Sequence, residues 1–377
     1  MNIAYLSTFY PYRGGIAQFN AKLFREFEKE HNIKAWTFKR QYPDILFPGS
    51  SQYVGENDSA DKINAERVLD TINPITYWSA AVKIKKTKPD IMLTKFWLPF
   101  FGSSLGQIAR MLKNKGVTNI SILDNVKPHE KRPGDDWLIN FFLKHNHGFI
   151  TMSEQVRDDL LEYKPDAKFK LVRHPLYDQF PKRIDRTEAC DRLNISPDRK
   201  VILFFGFIRK YKGLDILLEA METLPDDYVL LIAGESYGSF DYYMDLIKRK
   251  NLYSKVKMFV RYIEDSEVTN FFSAADVCVL PYKSATQSGI VGISYYYGLP
   301  IIATDVGGLK EMIVPFGTGM MVDKPAQHLL SAAIADYFNM QLRDIYEKRI
   351  DDYKKIANWE VLANNIIDFY EELKSNK

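Results

Sequence analysis

Two Rossmann-like, doubly wound α/β domains in tandem are predicted by three features of this sequence. Short apolar, β-rich runs alternate with helical segments along most of the chain, the pattern of parallel sheets whose crossovers cover both faces. The alternation stops at a charged, turn-rich interval, "PKRIDRTEACDRLNISPDRK", and then starts again. The chain has 377 residues, too long for one ordinary core and suited to two domains of about 180 residues.

The first series of strands is expected at Ile3 to Ser7, Ile33 to Phe38, Asp90 to Phe96, Asn119 to Asn125, Gly148 to Ser153 and Phe169 to His174. The second is expected at Val201 to Gly206, Val229 to Gly234, Val256 to Tyr262, Asp276 to Tyr282, Pro300 to Val306 and Gly317 to Asp323. Each run is short and bounded by turn residues or amphipathic segments. Domains at residues 1–180 and 181–355 follow, with a linker near 176–198. The closing helical segment runs from about Ala335 to Lys377, and its amphipathic end, residues 356–377, is expected to cross back to the first domain.

Charge and composition narrow the class. Lys plus Arg (51) nearly balance Asp plus Glu (48), so the chain lacks the overall basic field of a nucleic-acid binder. Cys190 and Cys278 stand far apart with no ligand spacing around them, which argues against a disulfide framework and a zinc site. The first strand begins at once in "MNIAYLS", and no apolar run approaches the ~20 residues of a spanning helix. A cytoplasmic protein is expected, with at most peripheral contact at an inner membrane.

In open parallel sheets ligands sit beyond the carboxyl ends of the strands, and three loops at such places carry suggestive chemistry. In "STFYPYRGGIAQFN" a strand gives way to Gly14-Gly15 and a helix; paired glycines admit a ligand to the backbone, and the helix start offers N–H groups to an anion. A plain tight turn explains the same residues, and the motif is not G-x-G-x-x-G, which weakens any case for a nicotinamide or flavin. In "FFGFIRKYKGLDILLEAM" a strand end is followed by Arg209, Lys210 and Lys212, then Gly213 and a helix. Arg binds phosphate oxygens bidentately and Lys acts as a point charge, so a diphosphate suits this pair, although a solvated basic turn would read alike. The third loop, "SATQSGIVGISYYYGLP", places Thr286, Gln287, Ser288 and Gly289 before another helix.

These segments, with "FFSAADVCVLPY", "GLPIIATDVGGLKEMI" and "NWE" in this order and spacing, resemble the GT-B glycosyltransferases, specifically the retaining bacterial group called family 4, across essentially the whole chain. The resemblance implies a deep cleft between the domains, a nucleotide diphosphate sugar donor held mainly by the second domain, an acceptor on the first, and retaining hexosyl transfer without a metal or other cofactor. It implies that Arg209 and Lys212 hold the donor diphosphate. Gly14 and Gly15 would approach the same phosphates, Tyr262 would meet the base, and Glu235 would touch the ligand or stay solvated. Thr286, Gln287, Ser288 and Gly289 would meet phosphate or sugar with neutral groups.

Three departures from the family pattern matter. Its usual glutamate pair falls at Ala285 and Ile293, neither of which accepts a hydrogen bond from a sugar. Its early phosphate arginine falls at Phe207, with Arg209 two places later. The histidine customary after the fourth of the expected strands is replaced in "ILDNVKPHEKRPGD" by Asp124, and His129 follows; Asp124 or His129 would orient the acceptor or contact the donor sugar. His174, in "RHPLYD", would face the cleft toward the acceptor or simply cap a turn before Pro175. Trp97 belongs to "KFWLPFFGSSLGQIARML", which reads either as an interfacial surface for a polyprenyl-linked acceptor, flanked by lysines, or as aromatic core. Synthesis of a cell-surface polysaccharide follows from the resemblance. A GT-B-like sugar-nucleotide epimerase and a catalytically silent nucleotide-sugar-binding protein are the rival readings.

Overall fold

The computed structural model describes residues 1–43, 52–54, 60–128, 132–176, 180–285 and 288–375, which fall into two units, Met1–Pro175 with Ala357–Lys377, and Leu176–Ile356. The first unit runs β1 (Asn2–Leu6), α1 (Gly15–Glu28), β2 (Asn32–Arg40), β3 (Glu66–Asp70), α2 (Pro74–Lys86), β4 (Ile91–Phe96), α3 (Gly102–Lys113), β5 (Thr118–Leu123), α4 (Asp135–His145), β6 (Gly148–Thr151), α5 (Glu154–Tyr163) and β7 (Phe169–Leu171). The second runs α6 (Arg186–Arg192), β8 (Lys200–Phe205), α7 (Leu214–Thr223), β9 (Tyr228–Ala233), α8 (Asp241–Arg249), β10 (Val256–Phe259), α9 (Val268–Ala274), β11 (Val277–Leu280), α10 (Gly289–Tyr296), β12 (Ile301–Thr304), α11 (Leu309–Ile313), β13 (Gly319–Val322), α12 (Gln327–Asn339) and α13 (Arg343–Ile356). The last helix, α14 (Trp359–Ser375), belongs to the first unit.

Among the described residues, every strand pairing within the two sheets is parallel. The first sheet has the order β3-β2-β1-β4-β5-β6-β7 and the second β10-β9-β8-β11-β12-β13. Successive side chains of β1 alternate between two cores: Ala4 and Leu6 pack with α2 to α5, while Ile3 and Tyr5 pack with α1 and α14. Burial on both faces is why these strands read as near-continuous apolar runs. In α14, Leu362, Ile366, Phe369 and Leu373 fill the second of these cores, and Trp359 meets the Phe19 ring edge-on with centroids 5.1 Å apart.

Two elements differ from the sequence expectation. β3 was not anticipated: only Val68 and Leu69 of "ERVLD" are buried, and its register with β2 shifts twice, so neither a period of two nor an apolar run marks it. The closing segment is three helices rather than one, with α14 restarting at Asn358, whose Oδ1 accepts the Val361 N–H at 2.9 Å. The interval 176–198 also holds α6, capped by Asp185 and seated through buried Ala189 and Cys190.

Both sheets reverse their strand order at one place, between β1 and β4 in the first unit and between β8 and β11 in the second. Ligand crevices form at such switch points because crossovers leave in opposite directions there. At the second, two backbone approaches demand glycine. A Cβ on Gly213 (φ +69°) would lie 1.9 Å from the Pro281 carbonyl oxygen, and one on Gly234 (φ +147°) 2.1 Å from that of Gly206. Gly213→Ala therefore combines strain with a backbone clash. It is expected to cost about 3 kcal/mol of unfolding free energy, read as a lower urea midpoint.

Candidate active site

At the first switch point the loop after β1 is fixed by one buried amide. Asn20 Nδ2 donates to Ser7 Oγ at 2.8 Å and to the Thr8 carbonyl at 2.9 Å, and its Oδ1 accepts the Tyr5 hydroxyl at 2.5 Å. The loop ends at Gly14, whose φ of +105° suits glycine, and α1 starts at Gly15 with no side chain capping it. A Cβ at either glycine would meet nothing within 4 Å. The glycines thus leave open space over the first-turn N–H groups of α1, which lack intrahelical acceptors.

Beside this loop lies a buried ion pair. Lys95, on β4, has a side chain only 2 % exposed; its Nζ stands 2.5 Å from Asp124 Oδ1 and 3.5 Å from the Phe19 ring centroid. Burial pulls the Lys95 pKa below the ordinary lysine range, against the opposing charge of Asp124. Asp124 follows β5, its N–H bound to the Phe96 carbonyl at 2.9 Å, and its carboxylate remains partly exposed. His174 packs edge-on against the other contact of Lys95, Phe19, at 5.3 Å, and its Nδ1 lies 2.7 Å from the Pro175 carbonyl. A carbonyl can only accept, so Nδ1 carries the proton and Nε2 a lone pair. Burial, reinforced by the Lys95 charge, lowers the His174 pKa and keeps the ring neutral at pH 7.

Trp97 takes no part in this cluster. It is buried, gives its indole N–H to the Tyr42 hydroxyl at 2.8 Å, and packs on Phe101 at 4.3 Å. Phe96 and Phe101 are fully buried as well, Phe100 is half-buried and Leu98 exposed, so Trp97 belongs to the aromatic core rather than to a surface that could meet an acceptor. His129 lies outside the described residues.

At the second switch point the loops after β8 and β11 interlock. Gly213 abuts Pro281, the Lys283 N–H donates to the Tyr211 carbonyl at 2.7 Å, and Lys283 pairs with Asp215 at 2.6 Å. Lys212 is thereby buried, its Nζ 5.5 Å from the Tyr282 ring centroid. Among the described residues no carboxylate pairs with it. Burial lowers its pKa to about 8; the neighbouring Cys278 thiol opposes that shift and Arg209 adds to it. Arg209 is exposed and lies over the Tyr237 ring at 4.1 Å. The Tyr237 loop is tied alongside by Ile208, whose N–H reaches the Glu235 carbonyl at 2.8 Å and whose carbonyl accepts the Tyr237 N–H at 3.0 Å.

Ser288 and Gly289 come to the same place. Ser288 is buried, with Oγ 3.2 Å from the Tyr282 hydroxyl, and Gly289 opens α10 with free space where a Cβ would be. The next residue, Ile290, reaches over Gly206: a Cβ there would meet it at 3.1 Å and Lys212 Nζ at 3.3 Å. Lys212, Arg209, Ser288 and Gly289 thus surround one strand end. Glu235 is exposed and makes no ion pair with either cation. Tyr262, 58 % exposed, follows β10 at the sheet edge, two strands from β8. Thr286 and Gln287 lie outside the described residues. No group of three or more His, Cys, Asp or Glu among the described residues is placed to hold a metal ion.

Sequence reasoning passed over Lys95, Asn20, Tyr237 and Tyr282. Lys95 alone left a signal: it is a lone cation inside the apolar strand "IMLTKF", where a charge needs a partner.

Residues 185–357, nearly all of the second unit, match the family model of the glycosyl transferases group 1. An uncharacterized glycosyltransferase of Methanocaldococcus jannaschii is 23% identical over 99% of this chain and 99% of its own length. Among solved structures, a glycosyltransferase from Rickettsia africae superposes with a TM-score of 0.73 at 17% identity, covering 100% of this chain and 99% of that one. HepE of Anabaena, solved in complex with UDP, gives 0.72 at 14% identity, covering 99% and 100%. Residues 185–357 thus match the group 1 glycosyl transferases, and the chain has the GT-B fold of these glycosyltransferase structures.

Two stability measurements test the electrostatics of the two lysines. Asp124→Ala leaves the Lys95 ammonium buried and unpaired, an expected loss of about 3 kcal/mol, most of which Lys95→Met in the same chain should restore. For Lys212 the folded pKa, about 8, lies below the ordinary 10.5. The unfolded chain therefore holds more protons between those values, and stability should rise with pH across that window. Lys212→Met should abolish this rise and add about 2–3 kcal/mol at pH 7, both read from urea unfolding as a function of pH.

Proposed function

We propose that the second unit binds a nucleotide diphosphate sugar at the β8 to β11 switch point and that the chain transfers its sugar, with retention of configuration, to a glycan or lipid-linked hydroxyl met by the first unit. One observation carries this reading: a buried lysine without a carboxylate partner, beside an exposed arginine and an uncapped helix start. An ammonium so placed is stabilised by an arriving anion, and a diphosphate supplies acceptors for Lys212, Arg209 and the α10 N–H groups together. The UDP bound by HepE is of that chemical class.

As the bond from the anomeric carbon to the diphosphate oxygen breaks, negative charge grows on the leaving group. Lys212 and Arg209 stabilise it there, and we assign the neutralisation to them without a metal. The acceptor oxygen bonds to the anomeric carbon on the face the diphosphate leaves, and its proton passes to the departing phosphate oxygen. No enzyme nucleophile enters this scheme. In the first unit Asp124, held by Lys95, and neutral His174 offer acceptors for a hydroxyl. A role in cell-surface polysaccharide synthesis accords with a lipid-linked or glycan acceptor.

Calorimetry with UDP, ADP and GDP tests the assignment. Arg209→Ala and Lys212→Ala are each expected to weaken the best-bound nucleotide about 10- to 100-fold, the worth of one or two charge-assisted hydrogen bonds; unchanged affinity in both would sink it. Anion binding raises the Lys212 pKa, so binding at pH 8.5 should take up a proton that binding at pH 6.5 does not. Buffers of different ionisation enthalpy expose that uptake, and Lys212→Ala should remove it.

A further inference from the structure

We propose that Tyr237 is a positioning residue for the donor diphosphate: its ring holds the Arg209 guanidinium by the face and leaves the N–H edge of that group free for phosphate oxygens. The inference rests on the diphosphate assignment at Lys212 and Arg209, and adds to it a residue that acts through Arg209 rather than on the ligand.

Backbone fixes the seat of the ring. Beyond the ends of β8 and β9 the chain stays paired for one more step, at an isolated parallel bridge between Ile208 and Ser236. The Ile208 N–H reaches the Glu235 carbonyl at 2.8 Å, and the Tyr237 N–H returns to the Ile208 carbonyl at 3.0 Å. Ile208 is 1 % exposed and belongs to the core of the second unit, so Arg209 and Tyr237 both hang from one anchored residue. Gly234 lets the two loops close this far, since a Cβ there would lie 2.1 Å from the Gly206 carbonyl oxygen. Arg209 continues in extended backbone, φ −132° and ψ 151°, and its carbonyl accepts the Lys212 N–H at 2.9 Å. The turn therefore sends its two cations in different directions, Lys212 into the unit and Arg209 out over the Tyr237 ring, 4.1 Å from its centroid.

The kind of partner gives the contact its use. Other arginines of this unit are held by carboxylates, Arg186 and Arg343 by Asp276 and Arg261 by Glu267. Such a partner occupies the N–H edge and offsets the charge. Among the described residues no carboxylate pairs with Arg209, and its contact is the ring. A ring attracts the face of a guanidinium, whereas phosphate is met by the in-plane fork of N–H groups, so the two contacts do not compete. The ring also narrows the arc open to a long, exposed side chain, and this lowers the ordering that binding must otherwise supply. Tyr237 is 73 % exposed, too little buried to serve the core. Tyr211, in the same turn as Arg209, faces the β11 loop instead, with its ring edge-on to Tyr282 at 6.3 Å.

Calorimetry on the full chain tests the proposal with inorganic pyrophosphate and with whichever of UDP, ADP and GDP binds best. Tyr237→Ala is expected to weaken both about two- to fivefold, the worth of one exposed cation–π contact. Tyr237→Phe should keep the original affinity and Tyr237→Trp should bind at least as tightly, because the ring face is used and not the hydroxyl. In the Arg209→Ala background, Tyr237→Ala should have no further effect. An additive loss in the double variant, a loss for the nucleotide but not for pyrophosphate, or a loss in Tyr237→Phe would each mean that Tyr237 meets the ligand directly, and would overturn the proposal. Unchanged affinity in Tyr237→Ala, where Arg209→Ala does weaken binding, would overturn it and leave the diphosphate assignment standing. If neither probe binds, or Arg209→Ala leaves both affinities unchanged, that assignment fails and this inference with it.

Discussion

An ammonium taken out of water without a carboxylate costs free energy, and at Lys212 the second unit carries that cost at the one point where its strand order reverses. The surrounding geometry follows from holding it there. Gly213 lets the loop after β8 press against Pro281, Gly206 makes room for the ammonium, and the β11 loop brings the Tyr282 ring beneath it. A lysine free to turn to solvent would keep its ordinary pKa and offer a weaker, screened charge. Buried and without a carboxylate partner among the described residues, it lowers the stability of the unit, and the proposed binding of an anion rests on that cost.

The first unit solves the same problem in the opposite way. Lys95 is as deeply buried, also beside a switch point, but Asp124 compensates it within the unit. The charge is balanced internally, and burial first, then the Lys95 charge, lowers the His174 pKa. What remains is a partly exposed carboxylate edge and open backbone at Gly14 and Gly15. Two related sheets thus present electrostatically distinct ends, one with a buried cation that no carboxylate among the described residues pairs and one already balanced.

The aromatic residues show how tertiary structure sorts chemistry that looks alike along the chain. "KFWLPFF" and "ITYWSAAVKIKK" both place a tryptophan near lysines. Trp97 turns inward because β4 is central and covered on both faces, whereas Trp78 and Trp137 lie on helices whose inner stripe already fills the core. The amphipathic period of α2 separates Tyr77 from Trp78, one residue apart and on opposite sides of the packing boundary.

The sequence by itself determined the doubly wound architecture, since buried parallel strands must be short apolar runs and crossovers must be helices, and it located the basic turn at Arg209 and Lys212 and the glycines at Gly14 and Gly15. It could not reveal β3, whose irregular edge pairing leaves no periodic trace, nor show that Trp97 is buried while Trp78 and Trp137 are exposed. Those outcomes depend on which strands become neighbours. Above all, tertiary structure decided that Lys95 is neutralised and Lys212 is not, because a carboxylate approaches one from an adjacent strand end and none among the described residues approaches the other; that is a property of distance, which the linear order of residues does not contain.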